Sequence, residues 1–265
     1  MKLKFLGVGG AFAPISKGNS NMMLTSDAGK RMLIDFGATA PYIYRDELGL
    51  DFRDIDAVWI SHLHADHIGG MEMLAFARYF MPKKDEKGNI VKVKLFMVPD
   101  LMKELWETSL KGGLESMEGK VMNLTDYFEC IPVPVNSKFY WENYEFQPVQ
   151  TIHVMSGYQF KNSYGLLIKG PFRGAENNEH TTFITTDTQF APNQLQHFYS
   201  LADLIFHDCE TLPFRSNVHA HYDDLVKLGV GTKAIMWLYH YADIRPEFEK
   251  DGFLGFVTKG QEFDI

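Results

Sequence analysis

Ser61-His62-Leu63-His64-Ala65-Asp66-His67-Ile68-Gly69-Gly70 is the stretch from which the rest of the chain can be read. It places three histidines and an aspartate within six residues, directly after the apolar run Ala57-Val58-Trp59-Ile60. An apolar run of this length before a glycine-punctuated turn reads as a buried strand. The polar cluster therefore sits at the carboxyl end of a strand, where the chain turns towards a helix. Imidazoles and a carboxylate crowded together lose solvation, and the imidazoles repel one another when protonated. A divalent cation removes both costs. Imidazole with carboxylate suits Zn²⁺ or Mn²⁺ rather than Ca²⁺. The chain has only two cysteines, Cys130 and Cys209, so no thiolate set can close a structural site, and an open catalytic centre is favoured.

Outward from this cluster, other short apolar runs also end on polar residues. His153 follows a run read as a strand over 144–151 and Asp187 follows Thr182–Thr185, while His240 comes just after a strand read over 234–238. Further strands are read at 2–6, 21–25, 31–35, 93–98, 164–169 and 204–207. Helices are read at 41–48, 70–80, 101–110, 192–202 and 222–228, the fourth opening on a proline suited to a first turn. Strands dominate each half, with helices between them. The pattern predicts an α/β fold with two β-sheets face to face and helices outside, an αββα sandwich. No linker divides the chain, so one domain over 1–265 is expected.

Composition excludes several classes. The net charge is −8 from 26 Lys plus Arg against 34 Asp plus Glu. An acidic chain without a basic stripe is a poor partner for a long nucleic acid. The lysines of 83–94 are interleaved with Asp85 and Glu86 and read as a solvated face. No apolar run approaches the roughly 20 residues that span a bilayer, and the start of the chain lacks a signal-peptide pattern. A reducing cytoplasm is the expected compartment. Gly7-Val8-Gly9-Gly10 lacks both Rossmann spacing and a P-loop lysine, and reads as a tight turn beside the site. The polar stretch 173–179 reads as a hairpin tip.

The Ser61–Gly70 segment matches the His-x-His-x-Asp-His motif of the metallo-β-lactamase superfamily, and the later single His153, Asp187 and His240 match its remaining metal positions. Within it, Lys2–Phe12, Gly18-Asn19-Ser20-Asn21 and Leu33-Ile34-Asp35-Phe36-Gly37 resemble the opening of the ribonuclease Z branch. The resemblance implies two Zn²⁺, with Mn²⁺ as the alternative. His62, His64 and His153 would hold one ion, Asp66, His67 and His240 the other, and Asp187 would bridge them. Asp66 would also accept a proton from the attacking water. His219 resembles the branch's proton donor, with His221 as runner-up. Asp208 and Glu210 could orient that imidazole, and His207 is either a supporting partner or a core histidine.

Ribonuclease Z grips tRNA with a long arm between its third and fourth metal motifs. Here only 154–186 separate His153 from Asp187, too little for such an arm. The chain is more similar to arm-less phage-encoded anti-Pycsar cyclic nucleotide phosphodiesterases, especially around Val218–Tyr222 and Trp237–Tyr241. That resemblance implies hydrolysis of 3′,5′-cyclic mononucleotides, a homodimer and, for a phage protein, the host cytoplasm. Tyr158, Phe160, Tyr222 and Tyr241 are candidates to stack on the base. A tRNA 3′-processing endonuclease, a hydrolase of lactones, esters or thioesters, and a non-catalytic nucleotide-binding protein are the alternatives.

Overall fold

The computed structural model describes residues 1–171, 179–243 and 245–265. The stretch 173–179 expected to form a hairpin tip lies outside them, except for Glu179. The first half of the chain contributes β1 (Lys2–Phe5), β2 (Met22–Thr25), β3 (Arg31–Ile34), β4 (Ile55–Trp59), the small hairpin β5 (Lys83–Lys84) and β6 (Ile90–Val91), and β7 (Val93–Met97). A second small hairpin, β8 (Ser116–Met117) with β9 (Lys120–Val121), precedes β10 (Phe128–Pro132) and β11 (Phe139–Trp141). Then come β12 (Tyr144–Ser156), β13 (Gln159–Pro171), β14 (Glu179–Ile184), β15 (Leu204–Asp208), β16 (Met236–Tyr239), β17 (Gly255–Phe256) and β18 (Glu262–Asp264).

Two seven-stranded sheets result, ordered β10-β7-β4-β3-β2-β1-β18 and β11-β12-β13-β14-β15-β16-β17. Each is mixed. The pairs β10/β7, β7/β4 and β4/β3 are parallel, as are β14/β15, β15/β16 and β16/β17, and the other pairs are antiparallel.

Alternation along the strands explains the layers. In β4 and the residue after it, Ala57 and Trp59 join a core shared with Phe146, Leu166, Phe183 and Phe206 of the second sheet. Val58 and Ile60 enter another core with Met71, Leu74, Leu105 and Trp106 of the helical segments. Both faces of the strand are covered, so its sequence reads as an unbroken apolar run. The αββα layering expected from the sequence is what these two cores produce.

The helix at Met71–Phe80 lies where its apolar spacing placed it, and Pro192–Leu201 likewise. The helix expected over 101–110 instead runs from Pro99, widening into a π-helical turn at Leu105–Leu110. The strands β10, β11, β17 and β18 were not foreseen. β10 carries Glu129 and Pro132, and β18 has the polar ends Glu262 and Asp264, so neither looks like a buried strand. No helix among the described residues is long and apolar enough to cross a membrane.

Candidate metal centre

The site lies along the seam where strands of both sheets end. β4 delivers His62 and His64, and the short helix Ala65–Ile68 carries Asp66 and His67. Asp187 follows β14, and His240 follows β16. His153 was expected just past the end of a strand. It lies inside β12, between Ile152, which pairs with Asn162, and Val154, which pairs with Lys161. His153 is thus the extra residue of a β-bulge, a device that re-aims one side chain out of the normal alternation.

Asp35 (φ 64°), Thr186 (φ 52°) and His240 (φ 66°) are non-glycine residues with left-handed backbone at the site. Each ends or follows an extended run and turns the chain sharply at the seam. A β-branched threonine in that region is strained, and such strain gathers at functional sites.

The ligand atoms of His62, His64, His153 and Asp187 all lie within 4.8 Å of one another, and so do those of Asp66, His67, Asp187 and His240. Asp187 is the shared member. Its Oδ2 stands 3.4 Å from Nε2 of His67 and of His240, and 3.7 Å from Nε2 of His62 and of His153. The Nδ1 of His64 faces Nε2 of His62 at 3.0 Å and Nε2 of His153 at 3.1 Å.

Supporting bonds fix which nitrogen is free. Asp35 accepts from the Ser61 N–H (2.8 Å), the Ser61 hydroxyl (2.7 Å) and Nδ1–H of His67 (2.7 Å). Because the Ser61 hydroxyl donates to Asp35, its oxygen accepts from Nδ1–H of His62 at 2.9 Å. His153 donates Nδ1–H to the Val218 carbonyl at 2.8 Å. Each of these rings then turns a lone pair on Nε2 towards the cluster. Metal-bound histidines are oriented in this way by their outer partners. Among the described residues, Nε2 of His67, Nε2 of His240 and Oδ1 of Asp187 are buried with no hydrogen-bond partner. Two converging ligand sets around one shared carboxylate, three of whose atoms are buried without a partner, fit a pair of divalent cations.

The electrostatics divide the ligands into two groups. Burial, with the neighbouring imidazoles, holds His62 well below the usual histidine range, and burial lowers His64 and His153 as well. Neutral imidazole is the form that ligates. Burial also opposes charge on His67 and His240, but Asp187 and the other carboxylates overcome it and raise both. Burial opposes ionisation of Asp66 and Asp187 in turn, yet the adjacent imidazoles hold both well below the carboxylate range.

His219 lies beside this floor. Its ring stacks on His240 with centroids 4.4 Å apart, and its Nδ1–H donates to Oδ2 of Asp208 at 2.8 Å. Burial works against its charge, but Asp208 and then Asp187 push it up to about 9. The same Oδ2 of Asp208 also accepts from the Thr188 N–H at 2.8 Å.

His221 has a different job. Its Nε2–H donates to the Leu212 carbonyl at 2.9 Å, and its Nδ1 accepts from the Asp223 N–H as the N-cap of the helix Tyr222–Leu225. With both nitrogens engaged, it is displaced as a candidate acid. Of the two readings of His207, the bonds fit a core histidine: its Nδ1–H donates to the Asp208 carbonyl and its Nε2 accepts from the Tyr199 hydroxyl at 2.7 Å. Glu210 accepts the Ser216 N–H at 2.9 Å and shapes the loop that leads to His219 rather than bonding its ring.

A cavity of about 510 Å³ opens onto His219 and His240. A larger groove of about 800 Å³, lined by Arg45, Phe52, Phe76 and Phe80, holds none of the converging ligands and is not this site. Of the four expected stacking residues, Tyr241 lines the cavity, but its hydroxyl bonds the Val257 carbonyl and its ring faces Lys17 and Arg245. Tyr222 is buried against Phe253 and Phe256, with its hydroxyl on Asp251. Tyr158 and Phe160 are exposed on the β12–β13 hairpin and do not line the cavity. The aromatic side chains that do line it openly, Phe12 and Phe214, were not anticipated. Asp35 and Ser61 were also missed as supports, although both stand in quoted motifs.

Residues 1–263 match the family model described as anti-Pycsar protein Apyc1. The chain belongs to that family. It is 31% identical over 271 residues to the anti-Pycsar protein Apyc1 of Paenibacillus harenae, covering 100% of both chains. It is 32% identical over 276 residues to that of Bacillus phage vB_BveM-Goe7, covering 98% of this chain and 97% of the phage protein. Among solved structures it is similar in fold to the metallo-β-lactamase fold protein YhfI from Bacillus subtilis, with a TM-score of 0.72 at 16% identity over 99% of each chain. The family's chain therefore carries the metallo-β-lactamase fold, in agreement with the motif resemblance.

Proposed function

We propose that this anti-Pycsar family member is a metal-dependent phosphodiesterase that opens 3′,5′-cyclic mononucleotides to linear monophosphates in the cytoplasm of a phage's host. The observation that carries the reading is the pairing of two ligand sets through Asp187 with an imidazole–carboxylate pair, His219 and Asp208, beside a cavity of about 510 Å³. That volume lies in the range of small-molecule sites.

His62, His64 and His153 would hold one cation, Asp66, His67 and His240 the other, and Asp187 both. Zn²⁺ suits this donor set, and Mn²⁺ is the alternative. When bound, such ions make water nucleophilic near neutral pH and neutralise charge developing on the phosphoryl oxygens. The chain supplies the rest. Asp66 is buried at the floor, and its carboxylate would take the proton from the water that attacks phosphorus. The P–O bond to the ribose oxygen then breaks. His219 Nδ1–H is held by Asp208, which leaves Nε2–H of the protonated ring to give its proton to the departing oxygen. That geometry is what general acid catalysis requires. The acidic surface favours a small phosphodiester over a long RNA, whose binding would need many phosphate contacts. A homodimer is part of the same reading.

The test is incubation of the metal-loaded protein with cyclic CMP, UMP, AMP and GMP, with metal content measured in parallel. Hydrolysis to monophosphates is expected. Cleavage of precursor tRNA, or of lactones, esters or thioesters, with all four cyclic nucleotides untouched would overturn it. Stoichiometric nucleotide binding without turnover, unaffected by His219→Ala, would select a binding protein instead.

A further inference from the structure

We propose that Phe12 and Phe214 clamp the base of the substrate at the mouth of the cavity, an inference that rests on the cyclic-nucleotide reading above. Phe12 is 102% exposed and Phe214 62% exposed, and both line the cavity that reaches His219 and His240. Exposed apolar side chains gathered on one cavity mark a binding surface, whereas single ones scattered elsewhere do not. Tyr140 and Tyr158 are also exposed, but they lie away from this cavity.

Both loops are anchored at the floor. Phe12 follows Gly10 by two positions, and a Cβ on Gly10 would stand 2.8 Å from Cε1 of His240. Phe214 lies in the loop between Asp208 and His219. That loop is braced by the Ser216 N–H on Glu210 and by the Glu210 N–H on the Ala220 carbonyl at 2.8 Å. Both loops are therefore tied to residues beside the floor.

The charged groups of the lining are engaged with their own neighbours. Glu210 takes the Ser216 N–H, and Lys17 pairs with Asp243 at 3.2 Å and sits over the Tyr241 ring at 4.6 Å. The Thr211 hydroxyl accepts from the Ala242 N–H at 3.1 Å. Beside these groups the mouth offers an apolar face: Phe12, Pro14, Leu212 and Phe214. A nucleobase offers such a surface its π-face, and stacking of this kind needs no hydrogen-bond code.

The experiment is steady-state kinetics of the metal-loaded wild type, Phe12→Ala, Phe214→Ala and Phe12→Tyr on cyclic CMP and cyclic AMP. Inorganic phosphate serves as a competitor that has no base. Each alanine variant is expected to raise KM about tenfold for both nucleotides. The inhibition constant of phosphate should stay at its wild-type value, and Phe12→Tyr should restore the wild-type KM. Unchanged KM in both alanine variants of an enzyme active on cyclic nucleotides would overturn the clamp and leave the functional reading standing. Weaker phosphate inhibition in step with KM would also overturn it, because the loss would then lie at the floor. A wild type that neither turns over nor binds any cyclic nucleotide would remove the functional reading, and the clamp with it. Since both rings are exposed, melting temperatures should match the wild type. A shift in sedimentation on Phe12→Ala with KM unchanged would assign the ring to a subunit contact instead.

Discussion

The floor and the mouth of this site are built under different constraints. At the floor, Asp35 alone receives three donors, from the Ser61 N–H, the Ser61 hydroxyl and His67. His153 is held by the Val218 carbonyl, and the backbone is bent through left-handed residues at Asp35, Thr186 and His240. Each such residue costs on the order of 1 to 3 kcal/mol, which the surrounding structure must over-determine. At the mouth, Phe12 and Phe214 lie exposed on loops that are braced chiefly through backbone bonds and surface pairs. The contrast follows from what each part must bind. Ions demand donors fixed to a fraction of an ångström, whereas a base accepts any flat apolar neighbour.

The sharpest way to break this contrast is to remove the group at its centre. Asp187→Ala should release both cations and lower activity by about a thousandfold or more. Metal analysis by plasma mass spectrometry checks it, and retention of two ions per chain would mean that Asp187 does not bridge. Next in size is a comparison of two histidines only two positions apart. His219→Ala should lower kcat by about 10²- to 10⁴-fold with metal content intact. His221→Ala should cost about 1 kcal/mol of stability through the lost N-cap and leave kcat near wild type. Parallel kinetics and urea melts separate the two, and equal losses of kcat would reassign His221 to the chemistry.

Support from behind should matter less than the ligands themselves but more than the mouth. Asp35→Asn keeps the shape while replacing one acceptor oxygen by an NH₂ that cannot receive the His67 proton. Metal affinity should fall about 10- to 100-fold, read by competition with a chromogenic chelator. Gly10→Ala acts on the other side of the same ring set. Its Cβ would stand 2.8 Å from the His240 ring, which has His219 stacked against it at 4.4 Å and little room to yield. A loss of metal affinity of several-fold, roughly tenfold at most, is expected. Unchanged affinity would show that the loop at 7–10, and not the ring, gives way.

The floor was far more legible in the sequence than the mouth, for a physical reason. His62, His64, Asp66 and His67 fall within six residues behind an apolar strand, so local pattern alone exposes them. His153, Asp187 and His240 were found by their positions near strand ends and by chain order, although His153 turned out to sit on a bulge that no alternation rule predicts. The layers were legible because apolar residues alternate between two cores. Through-space partners were not. Nothing near Asp35 in the chain says that its carboxylate will meet Ser61 and His67. Phe12 looked like any residue of a glycine-rich turn, and Phe214 like any residue of a loop. Tyr222 and Tyr241, two of the expected stacking residues, adjoin motif histidines, yet the Tyr222 ring packs into the core and the Tyr241 ring is covered by Lys17 and Arg245. His207 shows the same limit. It is the fourth residue of β15, and the pleat that directs Asp208 to the seam directs its predecessor away from it.

That last pair yields the smallest prediction and a fine test of where the floor ends. His207 donates Nδ1–H to the Asp208 carbonyl, so its Nε2 must be the acceptor for the Tyr199 hydroxyl. Burial keeps the ring below the usual histidine range, and the neutral form is the one these two bonds need. Tyr199→Phe removes one buried donor, leaves Nε2 without a partner and keeps the ring volume. It should cost about 1 kcal/mol in a urea melt. Because His207 reaches Asp208 only through the backbone carbonyl, and not through the carboxylate that holds His219, kcat and KM should be unchanged. A fall in kcat with metals retained would show that the bond network behind Asp208 extends through β15 to Tyr199, and the floor would then be one residue deeper than its geometry indicates.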